Sequence, residues 1–164
     1  MQTRFPFPSL PAGWFSLGLS TDLKPKMVKP VRRFGRDLVL FRTESHQAVV
    51  LDAFCPHLGG HLGYGHVDGE EVVCPFHCFR FNASGHCGTL PNGYQGRIPH
   101  KMSCRSWEVR ETDGFLMVWF DPQQRPSTWE LPHHELSEKA PLLSMEWQLK
   151  THPQETGEGS VDLG

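Results

Sequence analysis

This chain of 164 residues lacks the features that would mark a membrane protein or a nucleic-acid-binding protein. Its 16 Lys and Arg residues face 18 Asp and Glu residues, so there is no basic excess to attract a nucleic acid. No hydrophobic run reaches the length of a transmembrane helix. Residues 1–10 lack the basic and then apolar segments of a signal peptide. We therefore expect a globular protein with no membrane span and no nucleic-acid partner.

Cysteine is scarce and odd in number, with five residues in the chain. That density is too low for the disulfide framework of a small secreted domain, and free thiols fit a reducing compartment. We predict a cytoplasmic location. A hydrophobic content of 38% is enough for the core of one domain, and the length leaves a remainder beyond it.

Short apolar segments separated by turn residues occupy the chain up to residue 120, and no long helical pattern occurs there. The turn signals Gly35-Arg36, Asp68-Gly69 and Asp113-Gly114 lie between such segments. Many short strands at regular spacing predict an all-β fold, an antiparallel β-sandwich or barrel. The main predicted strands are Gly13–Leu19, Val28–Phe34, Asp37–Arg42, Ala48–Ala53, Glu71–Val73, Phe79–Phe81, Trp107–Arg110 and Phe115–Phe120.

Composition changes at Asp121, where a polar stretch punctuated by prolines begins. Met145–Lys150 is typical of a new strand, and the chain then turns polar. We predict a first domain at residues 1–121, a proline-rich linker at 122–144 and the beginning of a second, truncated domain at 145–164.

Four residues in the centre of the chain have the spacing of metal ligands. Cys55 and His57 form a Cys-x-His pair, and Cys74 and His77 form a Cys-x-x-His pair after residues 58–73. Two loops that each supply one thiolate and one imidazole suit a binuclear iron–sulfur cluster, with the thiolates on one iron and the imidazoles on the other. Imidazoles bring no charge, so such a cluster accepts an electron more easily than an all-cysteine cluster. A structural zinc site is the alternative, but zinc fingers pair Cys with Cys and His with His.

At these residues the chain resembles the Rieske [2Fe–2S] family, through Phe54–Gly60 and Cys74–His77. It is most similar to the Rieske domain of ring-hydroxylating oxygenase α-subunits, in particular the steroid 9α-hydroxylase and cholesterol desaturase group. That closer likeness depends on Gly13–Phe15, Leu51–Ala53, Ser106-Trp107 and Val118–Phe120. The resemblance implies a Rieske-type antiparallel β-sandwich with a small cluster-binding subdomain of two loops.

The resemblance also implies a longer parent protein. In it, a ferredoxin or a flavin reductase would donate electrons, and the cluster would pass them to a mononuclear Fe(II) that activates O₂. The parent would be a homotrimer acting on a steroid or sterol. Asp162 matches the Asp that precedes the mononuclear iron ligands in this family, so we expect the chain to be the N-terminal part of such an oxygenase. By itself it would only transfer electrons and would form no oxygenated product. A stand-alone Rieske ferredoxin and a zinc-binding interaction module are the alternatives.

Two differences from the family bear on the cluster. Respiratory Rieske proteins carry an extra Cys in each loop, joined as a disulfide, and those positions hold Gly60 and Phe76 here. Their Ser and Tyr donors to sulfur fall on Phe79 and Phe81, which cannot donate. The absence of these donors predicts a reduction potential in the lower part of the Rieske range.

Other residues near the motif allow only weaker interpretations. We expect Phe76, Phe79 and Phe81 to shield the cluster or fill the core. Cys78 stands where oxygenases usually have Gly, and we expect a buried and inert thiol there, with an oxidation-sensitive thiol beside the ligand His77 as the alternative. His61 and His66 are interpreted as loop residues. A basic run could dock an acidic electron donor, although a solvated sheet face is the simpler interpretation. The run comprises Lys24, Lys26, Lys29, Arg32, Arg33 and Arg36.

Overall fold

The structure is a computed structural model that describes residues 10–91, 93–94, 102–133, 145, 147, 149–151 and 156–157. Within these residues it contains eleven strands and two short 3₁₀ turns, Ser20–Asp22 and Leu62–Tyr64. The strands are β1 (Gly13–Leu19), β2 (Val28–Arg33), β3 (Arg36–Arg42), β4 (Ala48–Asp52), β5 (His66–Asp68), β6 (Glu71–Val73), β7 (Arg80–Phe81), β8 (Cys87–Thr89), β9 (Ser106–Trp107), β10 (Val109–Thr112) and β11 (Phe115–Phe120). The predicted all-β antiparallel fold is confirmed.

The strands form three antiparallel sheets. The central sheet has the order β2-β3-β4-β9, an outer sheet has the order β1-β11-β10, and a small sheet of four strands, β5-β6-β7-β8, follows the first ligand loop. The small sheet carries the second ligand loop between β6 and β7. It therefore corresponds to the predicted cluster-binding subdomain.

The central sheet is buried on both faces, because successive side chains of a strand point to opposite sides. Leu38 and Leu40 of β3 pack with the outer sheet, in a core that includes Leu116 and Val118. Val39 and Phe41 pack with the small sheet, in a core that contains Cys55 and Cys74. Both faces of β3 are thus apolar over its central residues Leu38–Phe41, and its charged residues lie at the two ends.

A buried arginine joins the central sheet to the outer one. The Arg42 side chain is 7% exposed, and its guanidinium contacts Glu111 of β10 at 2.7 Å. It also donates to the backbone oxygens of Ser20 and His46. A buried cation needs such partners, since an unpaired one would be strongly destabilising.

Three details differ from the predicted strands. The segment Trp107–Arg110 is not one strand, because the chain crosses from the central sheet to the outer sheet at Glu108, whose carbonyl accepts from the Trp119 amide. Strand β8 was not predicted. The described residues of the predicted strand Met145–Lys150 are not in a strand, and Met145, Trp147 and Leu149 are exposed. Asp162 lies outside the described residues.

Candidate metal centre

The first ligand loop leaves β4 and turns back on itself within six residues. The Cys55 amide donates to the Gly60 carbonyl at 2.8 Å, and the Gly59 amide donates to the Cys55 carbonyl at 2.9 Å. Gly59 has a φ of +74°, in the left-handed region that favours glycine. These bonds fix the backbone on both sides of Cys55.

The second ligand loop repeats the same hydrogen bonds. The Cys74 amide donates to the Phe79 carbonyl at 2.8 Å, and the Cys78 amide donates to the Cys74 carbonyl at 3.0 Å. Cys78, four residues after Cys74, has a φ of +58°. It therefore takes the backbone position that Gly59 takes four residues after Cys55, and the two loops are structurally equivalent.

The two loops bring the cysteines together in the interior. Cys55 is 2% exposed and Cys74 is 1% exposed. Burial raises the pKa of the Cys55 thiol to about 11, a hydrogen bond from the His57 backbone opposes this shift, and the neighbouring Cys74 adds to it. The Cys55 thiol of the metal-free chain is therefore protonated at neutral pH. Iron binding must release that proton, since the thiolate is the ligand.

The two histidines lie side by side nearer the surface. The ring centroids of His57 and His77 are 4.8 Å apart, with an angle of 76° between the planes. The Nδ1 atom of His57 is buried without a hydrogen-bond partner, the single such side-chain nitrogen or oxygen among the described residues. A buried polar atom without a partner is costly, and a metal ion bound to this nitrogen would remove that cost.

The arrangement fits a binuclear cluster better than a mononuclear zinc site. Each iron of a Rieske cluster needs two protein ligands, and two thiols and two imidazoles supply them. A zinc ion would need four side chains around one point. Among the described residues, no group of three His, Cys, Asp or Glu side chains is placed to hold a single metal ion.

Gly60 separates the first loop from the second. A Cβ atom added at Gly60 would lie 2.9 Å from the Cys74 sulfur and 3.1 Å from the Phe76 Cβ. Its φ is not in the left-handed region, so backbone conformation alone does not require glycine there. The close approach to the ligand sulfur does.

The aromatic residues around the site have different roles. Phe79 and Phe81 are buried, and the Phe79 ring lies 4.7 Å from the His57 ring, as expected for shielding residues. Phe76 is 60% exposed, so the expectation that it fills the core is wrong. Its ring lies 4.0 Å from the His77 ring between centroids, at an interplanar angle of 34°, a position that fits the expected shielding of the site.

The expectation that Cys78 is a buried thiol is also wrong. Cys78 is exposed, because its left-handed backbone turns the side chain outward at the end of the second loop. It lines a cavity of about 870 Å³ together with His57, His77, Arg80 and Tyr94. His61 is a turn residue, as interpreted, because its Nδ1 accepts a hydrogen bond from the Gly63 amide at 3.0 Å.

Cys104 is a supporting residue that the sequence did not indicate. Its sulfur lies 3.7 Å from the Phe54 carbonyl, so its thiol donates to the peptide group immediately before Cys55. Burial raises the pKa of Cys104 to about 12. Its thiol is therefore a weak nucleophile. Its role is structural, because its hydrogen bond to Phe54 supports the backbone of the first loop. No motif spacing links residue 104 to the ligands, so only the fold reveals this contact.

Known proteins resemble this chain in sequence and in structure. A cholesterol 7-desaturase of Ciona intestinalis is 36% identical over 160 residues, which cover 95% of this chain and 34% of that protein. The oxygenase component of a 3-ketosteroid-9-alpha-monooxygenase of Rhodococcus rhodochrous is 40% identical, with coverage of 70% and 28%. The crystal structure of dicamba monooxygenase bound to dicamba superposes with a TM-score of 0.61 at 25% identity, covering 71% of this chain and 36% of that one.

This chain spans about a third of the length of the curated relatives it matches. The family model of the Rieske [2Fe-2S] domain matches residues 13–105, which include both ligand loops and most of the central sheet. No helix among the described residues is long and apolar enough to cross a membrane. The chain belongs to the Rieske [2Fe-2S] domain family, whose cofactor is a [2Fe–2S] cluster.

Proposed function

We propose that this chain transfers single electrons through a [2Fe–2S] cluster held by Cys55 and Cys74 on the inner iron and by His57 and His77 on the outer iron. The unpartnered, buried Nδ1 of His57 is the observation that carries the proposal. This nitrogen has no hydrogen-bond partner among the described residues, so it is free to bind a metal. The centroid of the His57 ring lies 4.8 Å from that of the His77 ring, which would supply the second imidazole.

When bound, the cluster takes up and releases one electron at a potential raised by its two neutral imidazole ligands. The chain's own residues set the conditions for that step. Because Cys55 and Cys74 are buried, their anionic sulfur atoms would be kept away from water. Phe79 and Phe81 exclude water from the interior side, while the imidazoles stay partly exposed. Partial exposure lets a histidine ring nitrogen reach the surface, where an electron acceptor can approach it.

We further propose that the domain is the N-terminal part of a cytoplasmic terminal oxygenase. A reductase or ferredoxin would supply electrons, and a mononuclear Fe(II) in the remainder of the parent, a homotrimer, would use them with O₂ to hydroxylate a steroid or sterol. The likeness to a 3-ketosteroid-9-alpha-monooxygenase and a cholesterol 7-desaturase supports the substrate class. The division into residues 1–121, 122–144 and 145–164 belongs to this proposal, and the end of β11 at Phe120 supports its first boundary.

The cluster assignment is tested by replacing one ligand and one neighbouring thiol. Purified under anaerobic conditions, the chain should contain iron and acid-labile sulfide in equal amounts and show the absorption and EPR spectra of a Rieske cluster. Cys55→Ser should lose the cluster, because a hydroxyl is a poorer soft donor than a thiolate. Cys87→Ser is the matched control, since Cys87 lies in the same core but is not a proposed ligand.

Two results would contradict the assignment. The first is a native preparation that holds zinc and no iron, which would restore the zinc alternative. The second is a Cys55→Ser variant that keeps the wild-type spectrum. The oxygenase role is tested separately, by product analysis of the full-length parent with a competent reductase and with 3-ketosteroid or cholesterol as substrate. Electron transfer without any product would favour a ferredoxin-like carrier.

A further inference from the structure

The basic run of the sequence is not one surface, because the β2–β3 hairpin separates its two ends. Arg33 pairs with Arg36 at the turn, while Val28 pairs with Phe41 at the far end. Lys26 lies beyond that far end, where its amine contacts Glu44 at 2.8 Å. The lysines and the arginines therefore occupy opposite ends of the central sheet.

The turn end of the hairpin lies beside the first ligand loop. Leu38 pairs with Asp52, and the Ala53 amide donates to the Asp37 carbonyl at 3.1 Å. Two residues further along the chain is Cys55. Register and hydrogen bonding thus bring Arg36 and Asp37 next to the backbone that enters the metal centre.

A second arginine, Arg105, joins Arg36 from the residue that precedes β9. The Arg105 guanidinium stacks over the Trp107 ring at 4.0 Å. Burial lowers the pKa of Arg105, the Asp52 carboxylate opposes this effect, and the nearby Arg36 guanidinium adds to it. The Asp52 amide donates to the Arg105 carbonyl at 2.9 Å, and Asp52 lines the same cavity as Arg36, so Arg36 and Arg105 lie on either side of Asp52.

The carboxylates at this place do not neutralise the Arg36 and Arg105 guanidiniums. Asp37 is engaged by Arg32 at 3.0 Å, and Asp52 accepts a hydrogen bond from the Trp107 indole at 2.9 Å. Two positive charges, on Arg36 and Arg105, thus lie beside the single remaining carboxylate of Asp52. A cavity of about 370 Å³ lined by Arg36, Asp37, Asp52 and Phe54 opens between them.

An exposed aromatic ring completes this surface. Phe54 is 52% exposed and is bonded directly to the ligand Cys55. Exposed aromatic residues beside arginines are enriched at protein–protein interfaces. None of the residues that line the Phe54 cavity lines the larger cavity beside His57 and His77, so the two openings are separate.

We propose that Arg36, Arg105 and Phe54, the arginine face, dock an acidic electron-donor protein on the cysteine side of the metal centre. The donor's carboxylates would pair with the guanidiniums, and Phe54 would bring the donor close to Cys55. The electron would then enter beside the thiolates and leave past the imidazoles. This inference depends on the proposed electron-transfer function and adds the chemistry and place of the donor.

The test measures reduction of the loaded protein by stopped-flow absorbance, with a reduced, acidic plant-type [2Fe–2S] ferredoxin as probe. Its potential lies below the Rieske range, so the transfer is downhill. Arg36→Glu should lower the second-order rate constant about tenfold at low ionic strength, because charge reversal weakens electrostatic steering. Arg36→Gln should lower it by a smaller factor. Both differences should disappear at high salt, where exposed charges are screened.

Lys24→Glu is the matched control, since it makes the same charge change at the opposite, exposed end of the central sheet. It should change the rate constant less than twofold. Equal losses in Lys24→Glu and Arg36→Glu would overturn the arginine face, because they would reflect net charge alone. An unchanged rate constant in Arg36→Glu would overturn it as well.

Photoreduced deazaflavin, a small reductant that needs no docking surface, separates the two proposals. All variants should be reduced by it at the same rate. A wild-type chain that takes up no cluster, or that deazaflavin cannot reduce, would overturn the proposed function and the docking surface together. Normal reduction by deazaflavin with no effect of Arg36→Glu on the ferredoxin rate would overturn the docking surface alone.

Discussion

A single methyl group at Gly60 should disturb the metal centre without disturbing the fold. In Gly60→Ala the new Cβ would lie 2.9 Å from the Cys74 sulfur and 3.1 Å from the Phe76 Cβ. Both separations are well below the usual contact distance of apolar atoms, about 3.5–4.0 Å. Either the sulfur or the first loop must therefore move by several tenths of an ångström.

The free-energy cost of the added methyl group should depend on whether iron is bound. In the metal-free chain no bond to iron fixes the Cys74 sulfur, so the free energy of unfolding should fall by less than in the loaded chain. With iron bound the sulfur is fixed, and the overpacking should cost about 1–3 kcal/mol. A loss of 2 kcal/mol corresponds to roughly a thirtyfold weaker affinity for the cluster. We expect low iron occupancy and an altered EPR spectrum in Gly60→Ala.

Gly59→Ala provides the matched control one residue earlier. A Cβ at Gly59 would have no atom within 4 Å, but its φ of +74° strains any residue other than glycine. The left-handed conformation costs roughly 1–2 kcal/mol for alanine, and the smaller entropy of its unfolded chain offsets about 0.4–1 kcal/mol of this. Gly59→Ala should thus lower stability in urea unfolding yet keep the wild-type spectrum.

The comparison would refute our explanation of Gly60 if both variants bound iron equally and gave the same spectrum. The explanation would also be wrong if Gly60→Ala lowered the free energy of unfolding of the metal-free chain as much as that of the loaded chain. In either case the close approach to the Cys74 sulfur would not be the reason for glycine at this position.

Three further predictions follow from the environment of single side chains. The midpoint potential should lie in the lower part of the Rieske range of roughly −150 to +300 mV, and Phe81→Tyr should raise it in a redox titration if the hydroxyl reaches sulfur; a midpoint in the upper third would contradict this. Cys78→Val should be less stable to urea than Cys78→Gly by roughly 1–2 kcal/mol, because only glycine tolerates a φ of +58° without strain; equal stabilities would contradict this. The hydrogen bond from Arg42 lowers the pKa of Glu111, so the stability this pair contributes is present above the ordinary Glu pKa and is lost as pH falls through the lowered one. Glu111→Gln should lower the free energy of unfolding by about 1–2 kcal/mol at pH 7. The stability of this variant should also fall less steeply than that of the wild type as pH decreases, which urea unfolding between pH 3 and 7 would show.

The strands were predictable because both their period and their turns are local. Asp113-Gly114 joins β10 to β11, and Gly35 joins β2 to β3, as the turn signals indicated. The assignment of Trp107 and Val109 to different sheets was not predictable. It depends on the Glu108 carbonyl accepting from Trp119, a contact between strands that no local pattern records. Long-range pairing of this kind decides where a predicted strand is divided between two sheets.

The ligand pattern stays a prediction from residue type and spacing, and the structure places Cys55 near Cys74 and His57 near His77. What surrounds them was harder to predict, because exposure depends on backbone direction rather than on side-chain type. Phe76 and Phe79 are identical in type and three residues apart, yet Phe76 is exposed and Phe79 is buried. The second loop reverses between them, so their side chains point to opposite sides.

The exposure of Cys78 follows from the equivalence of the two loops, and this equivalence was present in the sequence. Each loop begins with Cys-Pro, and the fifth residue is Gly59 in the first and Cys78 in the second. Since the first loop closes through a left-handed residue at that place, the second must do so too, whatever its side chain. A left-handed residue at the end of so tight a turn directs its side chain away from the loop. Aligning the two loops with each other would therefore have predicted a strained, exposed Cys78, whereas hydrophobicity alone predicted a buried one.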